Sequence, residues 1–253
     1  MVDQRPTKNV SAAVGSFMTA QSCLATLAAM LIPLSIMAAT SIAAGPASKT
    51  VLQQRLQVLL AERDLHATDA AFFVQIADLY LDVGDELYPD VDQRRSAYEG
   101  GVSAAQKALD LEEHNAEAHY LYAANLGSAA QLKGIMASAW TVNQVTTHTR
   151  RALELNPDHA GALHMMGMLL HELPWIVGGD KAKALNYLKQ AVIADPGYVH
   201  ARLDLAKAYI KRNDADGARR ELNAIVNQPE AADESESRRR YRLEAFKLLG
   251  SLR

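Results

Sequence analysis

The histidines and their acidic neighbours hold the most chemical promise in this sequence. His171-Glu172 opens like the HExxH zinc-protease motif, where two histidines on one helical face hold the metal and the glutamate acts as base. The position of the second histidine is Trp175, so a ligand is missing and metalloprotease chemistry is not supported. His114/His119 and His159/His164 are each five residues apart. That spacing turns the two side chains roughly 140° from each other on a helix, a poor geometry for sharing an ion. Gly178-Gly179-Asp180-Lys181 invites a phosphate-loop reading, but it lacks the GxxxxGK[ST] pattern and follows no strand. A joint between helices with Asp180 as N-cap fits it better. No Ser-His-Asp or paired-carboxylate arrangement has sequence support. The expectation is no catalytic residue, no metal and no cofactor.

The elements that would position these side chains are helical. Of 253 residues, 49% are apolar, while glycine (14) and proline (8) are scarce, which favours long helices with short joints over an all-β fold. The formal net charge is −3 with no block of basic residues interleaved with aromatics, so a nucleic-acid partner is not supported. Cys23 is the single cysteine and lies in the apolar leader, which excludes disulfides, cysteine-zinc sites and thiol catalysis from the rest. From Val51 onward apolar residues recur at three- and four-residue steps (Leu52, Leu56, Leu59, Leu60), and Asp69 is placed to cap the next helix.

Internal similarity fixes the architecture. LDLEEHNAEAHYLYA (109–123), LELNPDHAGALHMMG (153–167) and IADPGYVHARLDLA (193–206) align without gaps. Each ends one helix, turns, and starts another. Asn156-Pro157 and Asp195-Pro196 stop the preceding helix, because proline lacks the amide donor and clashes with the turn before it. Small residues follow at Ala123, Gly167 and Ala206, where paired helices must approach closely. Second helices repeat the theme with Ala184, Leu188 and Ala191, then Ala218 and Leu222 after Tyr209. This is tetratricopeptide spacing. The expected fold class is all-α, a tetratricopeptide-like helical-repeat solenoid. About four helical pairs fall near 69–111, 117–155, 160–194 and 199–227, with flanking helices at 51–66 and 234–252. Asp233 and Glu236 form a possible capping box for the last helix, which carries Glu234/Arg238 and Glu236/Arg240 at salt-bridge spacing. Its Arg238-Arg239-Arg240 run reads as the solvated face of a capping helix, with a docking site for acids as the alternative.

In such an array the first helix of each pair lines the concave face. That register gives Tyr120, Ala124 and Gly127, then His164, Met168 and His171, then His200, Leu203, Lys207 and Ile210. Tyr120, His164, Met168, His171 and Lys207 are therefore the expected partner-binding groove, suited to a peptide or a small amphipathic ligand. The competing expectation is that the apolar joints LKGIMASAWTVNQ and LPWIVGGD fold back over these residues, with Trp140 and Trp175 as packing anchors.

Between Lys8 and Lys49 there is no charged side chain, and Cys23 to Ala44 is almost wholly apolar. Arg5 and Lys8 before it and Ser41-Ile42-Ala43 near its end suit a secretory signal. At roughly 20 residues the stretch is also long enough for an uncleaved anchor. The expected organisation is a signal peptide or membrane anchor with linker over 1–48 and a helical-repeat domain over 49–253. The expected location is exported, periplasmic or anchored through residues 23–44, with a cytoplasmic protein as the alternative.

AEAHYLYA, LKGIMASAW and RRALELNPDHAGALHMMGMLLHELPW, within residues 116–175, resemble the regulator of microtubule dynamics family in order and spacing. The tail EAADESESRRRYRLEAFKLLGSL resembles that family's closing helix. The resemblance covers roughly 69–253 and implies a helical-repeat fold without catalytic activity, in a family whose eukaryotic members associate with microtubules or organelle membranes. With the repeats, the expected function is a non-enzymatic scaffold binding a protein or peptide partner. GGDKAKAL (178–185) departs from the eukaryotic pattern and is similar to bacterial tetratricopeptide proteins, including the transporter-associated TatT proteins. That second resemblance implies a periplasmic small-ligand-binding component of a TRAP-type transporter. TatT proteins are lipoproteins, whereas Cys23 precedes the apolar stretch instead of following it.

Overall fold

The computed structural model describes residues 45–132, 139–229 and 235–252. The leader up to residue 44, with its proposed signal or anchor, lies outside the described residues. Within them the chain is all helix: α1 (Gly45–Glu62), α2 (Ala70–Glu86), α3 (Val91–Leu111), α4 (Ala116–Leu132), α5 (Ala139–Leu155), α6 (Ala160–Glu172), α7 (Lys181–Ala194), α8 (Val199–Lys211), α9 (Ala215–Val226) and α10 (Glu236–Ser251). None of these is long and apolar enough to cross a membrane.

Short polar side chains start the helices by satisfying amide groups that have no intrahelical partner. Asp69 accepts the Phe72 N–H at 3.2 Å to open α2, and Asp90 accepts those of Asp92 and Gln93 to open α3. Asp180 takes the Ala182 and Lys183 N–H groups, each at 3.0 Å, so the glycine-rich joint ends in the N-cap read from the sequence. His159 caps α6 through a ring nitrogen 3.2 Å from the Ala162 N–H.

The helices pack as α2/α3, α4/α5, α6/α7 and α8/α9, with α1 against α2 and α10 against α8 and α9. These are the four pairs and two flanking helices that the repeat spacing predicts. Ala123, Ala184, Ala191, Ala206 and Ala218 are all fully buried, which lets backbones approach. A Cβ on Gly167 would lie 2.9 Å from the Leu188 side chain, so only glycine fits that crossing without displacing α7. One apolar cluster runs through α6–α9 (Leu163, Leu185, Leu188, Leu205, Tyr209), and another joins α2–α4 (Phe72, Ile76, Ala105, Leu121). Each fully buried leucine or isoleucine contributes about 1.5–3 kcal/mol of transfer energy.

Three expectations need correction. Helix α1 begins at Gly45, inside the stretch GPASKT read as a linker. Pro46 is no obstacle there, since the first turn has no acceptor for its missing N–H. The tryptophans of the joints are not packing anchors: Trp140 is 62% exposed and Trp175 is 82% exposed. After α6 the chain makes a 3₁₀ turn at Trp175–Val177 and passes through Gly178 in the left-handed region (φ 97°). The turn satisfies its own backbone, with Gly179 N–H bonded to the Pro174 carbonyl and Asp180 N–H to that of Leu170. The loop therefore closes on itself and leaves Trp175, Ile176 and Val177 facing water. In the other joint, residues 133–138 lie outside the described residues. Finally, the cap of α10 is Ser235, whose hydroxyl accepts the Arg238 N–H at 3.2 Å. Asp233 and Glu234 lie outside the described residues, and Glu236 pairs with Lys49 of α1 at 3.1 Å.

Helix α10 closes the array. The Ser237 N–H donates to the Glu86 carboxylate of α2, with its two oxygens at 3.0 and 3.3 Å. A carboxylate at a helix amino terminus is favourable because the free amides and the helix dipole both attract it. Thus α10 meets the inner wall.

Candidate functional site

His164 of α6 and Lys207 of α8 meet at a carboxylate that the sequence reading did not include, and Tyr120 of α4 adjoins them through Tyr198. Asp204 Oδ2 lies 2.9 Å from His164 Nε2 and 3.3 Å from His200 Nε2. Its Oδ1 lies 3.5 Å from Lys207 Nζ, which also pairs with Glu244 of α10 at 2.9 Å. On its other side, His164 Nδ1 is 3.3 Å from the Tyr198 hydroxyl, and Tyr198 in turn neighbours Tyr120. Tyr120 also packs on His159, with ring centroids 4.7 Å apart, and His159 Nε2 reaches Glu117 at 2.9 Å. The His200 ring stacks on Tyr241 of α10 at 4.6 Å. Four helices thus contribute to one polar, aromatic hub.

The other expected groove residues lie elsewhere. Met168 packs against the α6–α9 apolar cluster. His171 Nε2 is 2.9 Å from Lys211 Nζ in an open cleft of about 490 Å³, together with Leu173, Pro174, Trp175 and Lys181. Leu203 is fully buried with Leu222 and Ile225, and Ala124 is buried too.

The hub sets its own charges. Burial pushes the Asp204 carboxyl up, but the hydrogen bond from His164 and the fields of His200 and Lys207 outweigh it and hold the group below its ordinary value. Burial, then the neighbouring His164, lowers His200 to about 4, so its imidazole is neutral at pH 7. Burial, helped by Glu117, pushes Tyr120 up to about 12.

A second feature lies on α2, where Asp78, Asp82 and Asp85 share one face. Burial, then repulsion from Asp78, Asp85 and Glu86, raises Asp82 to about 6, while Arg55 opposes this weakly. Burial and Glu117 of α4 raise Asp78. Burial also raises Asp85, although it accepts a 2.6 Å hydrogen bond from the Tyr98 hydroxyl. All three side chains remain open to solvent, as expected for groups on a concave wall that the protein crowds without sealing.

Both features left signals in the sequence. His200 and Asp204 stand one helical turn apart on α8, and Asp78-Asp82-Asp85 follow the same stepping on α2. The parts supplied by α10, Tyr241 and Glu244, left none, because that helix stands outside the repeat register.

The stacked pairs and their inner wall define a tetratricopeptide-type helical scaffold. The family model described as regulator of microtubule dynamics protein 1-3 matches residues 44–176, and a tetratricopeptide-repeat model matches residues 179–234. The chain belongs to the regulator of microtubule dynamics protein 1-3 family. Regulator of microtubule dynamics protein 1 of Bos taurus is 26% identical over 159 residues, which is 56% of this chain and 50% of that protein. Protein 3 of Bos taurus is 25% identical over 173 residues, 62% of this chain and 36% of the relative. The chain therefore spans half or less of these relatives' lengths. Among solved structures it is similar in fold to TTC0263, a thermophilic TPR protein of Thermus thermophilus. That likeness has a TM-score of 0.57 at 15% identity and covers 81% of this chain and 97% of the other.

Proposed function

We propose that this chain is a non-enzymatic scaffold whose inner wall holds a protein or peptide partner through a lysine- or arginine-bearing segment lying beside α2. The Asp78-Asp82-Asp85 row carries this reading. Burial and then the charges of Asp78, Asp85 and Glu86 hold back the ionisation of Asp82, and burial and Glu117 that of Asp78, so an added cation gains both attraction and relief of repulsion. The chain's own Arg240, on α10, already acts on Asp85 in this way. Tyr120, beside Glu117 and Asp78, supplies an aromatic edge to the same wall.

Fluorescence anisotropy with a labelled Lys/Arg-rich peptide and an acidic one of equal length tests the proposal. The basic peptide should bind more tightly, more weakly as salt rises, and more tightly as pH goes from 5 to 7 and Asp82 ionises. The Asp78→Lys/Asp82→Lys double variant should lose at least about tenfold, the effect of roughly 1.4 kcal/mol. Equal binding of the two peptides, or an unaffected double variant, would overturn the basic-segment reading. A bound small molecule in the native mass spectrum would favour the transporter-component reading instead.

The same proposal includes an exported or membrane-anchored location, supported by the uncharged span between Lys8 and Lys49 and its apolar run. The amino terminus of the mature protein and its cell fraction test this. A start near Ala44 in a soluble exported fraction indicates a cleaved signal, and an intact membrane-bound chain indicates an anchor. A full-length chain in the soluble cytoplasm would sink both.

A further inference from the structure

We infer that His164, His200 and Asp204 form a binding site for a first-row transition-metal ion of the Zn²⁺ class. The inference stands apart from the basic-segment reading, which concerns carboxylates on a different helix.

Geometry supports it first. One nitrogen of each imidazole and one carboxylate oxygen lie within 4.8 Å of one another. Bonds of about 2.0–2.1 Å from a tetrahedral zinc place neighbouring ligand atoms roughly 3.3 Å apart. The oxygen of Asp204 lies 2.9 Å from one histidine nitrogen and 3.3 Å from the other, so the donors already stand near that spacing. Two of them, His200 and Asp204, are one turn apart on the rigid helix α8, and His164 faces them from α6.

The surroundings have the makings of an outer shell. Coordination through Nε2 leaves the His164 proton on Nδ1, where the Tyr198 oxygen, 3.3 Å away, accepts it and fixes the ring. Lys207 steadies the second oxygen of Asp204, and Glu244 balances the lysine charge, so the carboxylate charge is left to the ion. Access is one-sided. The side chains of His164 and Asp204 are each 8% exposed and that of His200 is 40% exposed, which leaves the His200 side for entry and for a water ligand. Two imidazoles and one carboxylate select a borderline ion such as Zn²⁺, Co²⁺ or Ni²⁺ over Ca²⁺ or Mg²⁺, which favour oxygen donors.

Titration of the untagged full chain with Co²⁺, followed by visible absorption, tests the site. One Co²⁺ per chain should bind with the intense visible band of a low-coordinate ion, and Zn²⁺ should remove it. His200→Gln alters a half-exposed side chain and should weaken binding at least about tenfold. Tyr198→Phe should weaken it by roughly 10–100-fold through the lost outer-shell partner. His148→Phe, which breaks the separate His119–His148 contact, should leave the titration unchanged. No band at a 1:1 ratio, full binding by His200→Gln, or loss of the band in His148→Phe would each overturn the assignment.

Discussion

Asp82 on α2 and Asp204 on α8 both belong to first helices of their repeats, and burial pushes both carboxyls upward. They end on opposite sides of the ordinary value. Around Asp82 the near charges are Asp78, Asp85 and Glu86, with Arg55 the weakest influence. Around Asp204 stand a hydrogen bond from His164, the neighbouring His200 and the Lys207 ammonium. One end of the wall is therefore left wanting a cation, while the other has built its own set of donors. The lesson is that partner chemistry, more than depth, sets what a carboxylate on this wall does.

The largest expected effect comes from removing the satisfied member. Asp204→Ala strands the buried His164, the half-exposed His200 and Lys207, and should destabilise the fold by about 3 kcal/mol in urea unfolding with chelator present. A loss below about 1 kcal/mol would mean the hub is not a structural unit. Tyr198→Phe should cost about 1 kcal/mol, since it deletes the hydroxyl that meets His164 Nδ1.

The crowded member should respond with the opposite sign. Because the folded-state value of Asp82 is raised, the folded protein binds more protons than the unfolded chain between roughly pH 4 and 6. Its contribution therefore worsens as pH rises through that window and is fully unfavourable above it. Asp82→Asn should be neutral near pH 4 and stabilising at pH 7, by less than about 1 kcal/mol because the group is open to solvent. Destabilisation at pH 7 would show that Asp82 is satisfied after all.

The smallest effect sharpens the contrast from outside both regions. Burial, then His119, holds His148 at about 4 in the folded protein, so the unfolded chain is the better proton binder from the ordinary histidine value of 6.5 down to about 4. Acid weakens the fold through His148 where it strengthens it through Asp82. His148→Phe should flatten the loss of melting temperature between pH 6.5 and 4, and an unchanged slope would remove His148 from the acid response.

Much of the fold was legible. Pro157 and Pro196 marked the turns, Ala123, Gly167 and Ala206 marked the close crossings, and Asp69 and Asp180 marked helix starts. The placement of the expected groove residues was legible only in part. Tyr120, His164 and Lys207 do meet in one network, yet Met168 turns to the core and His171 to a separate cleft. Steps of three and four residues keep these positions on one side of each helix, but that side is wider than the polar wall, so its edges reach the apolar core at Met168 and a separate cleft at His171. The joints misled for a different reason. Apolar Trp175, Ile176 and Val177 looked bound for the interior, but a turn that satisfies its own backbone had no need to take them there.

The sequence alone determined the helices, their pairing and the side chains offered at each repeat, because periodicity, caps and prolines act over neighbouring residues. Only the tertiary structure decided that Asp204 meets His164 across forty residues, and that α10 brings Glu244 to Lys207 and its own amide to Glu86. Those contacts depend on the curvature summed over all the stacked pairs, and no local stretch of sequence encodes that sum.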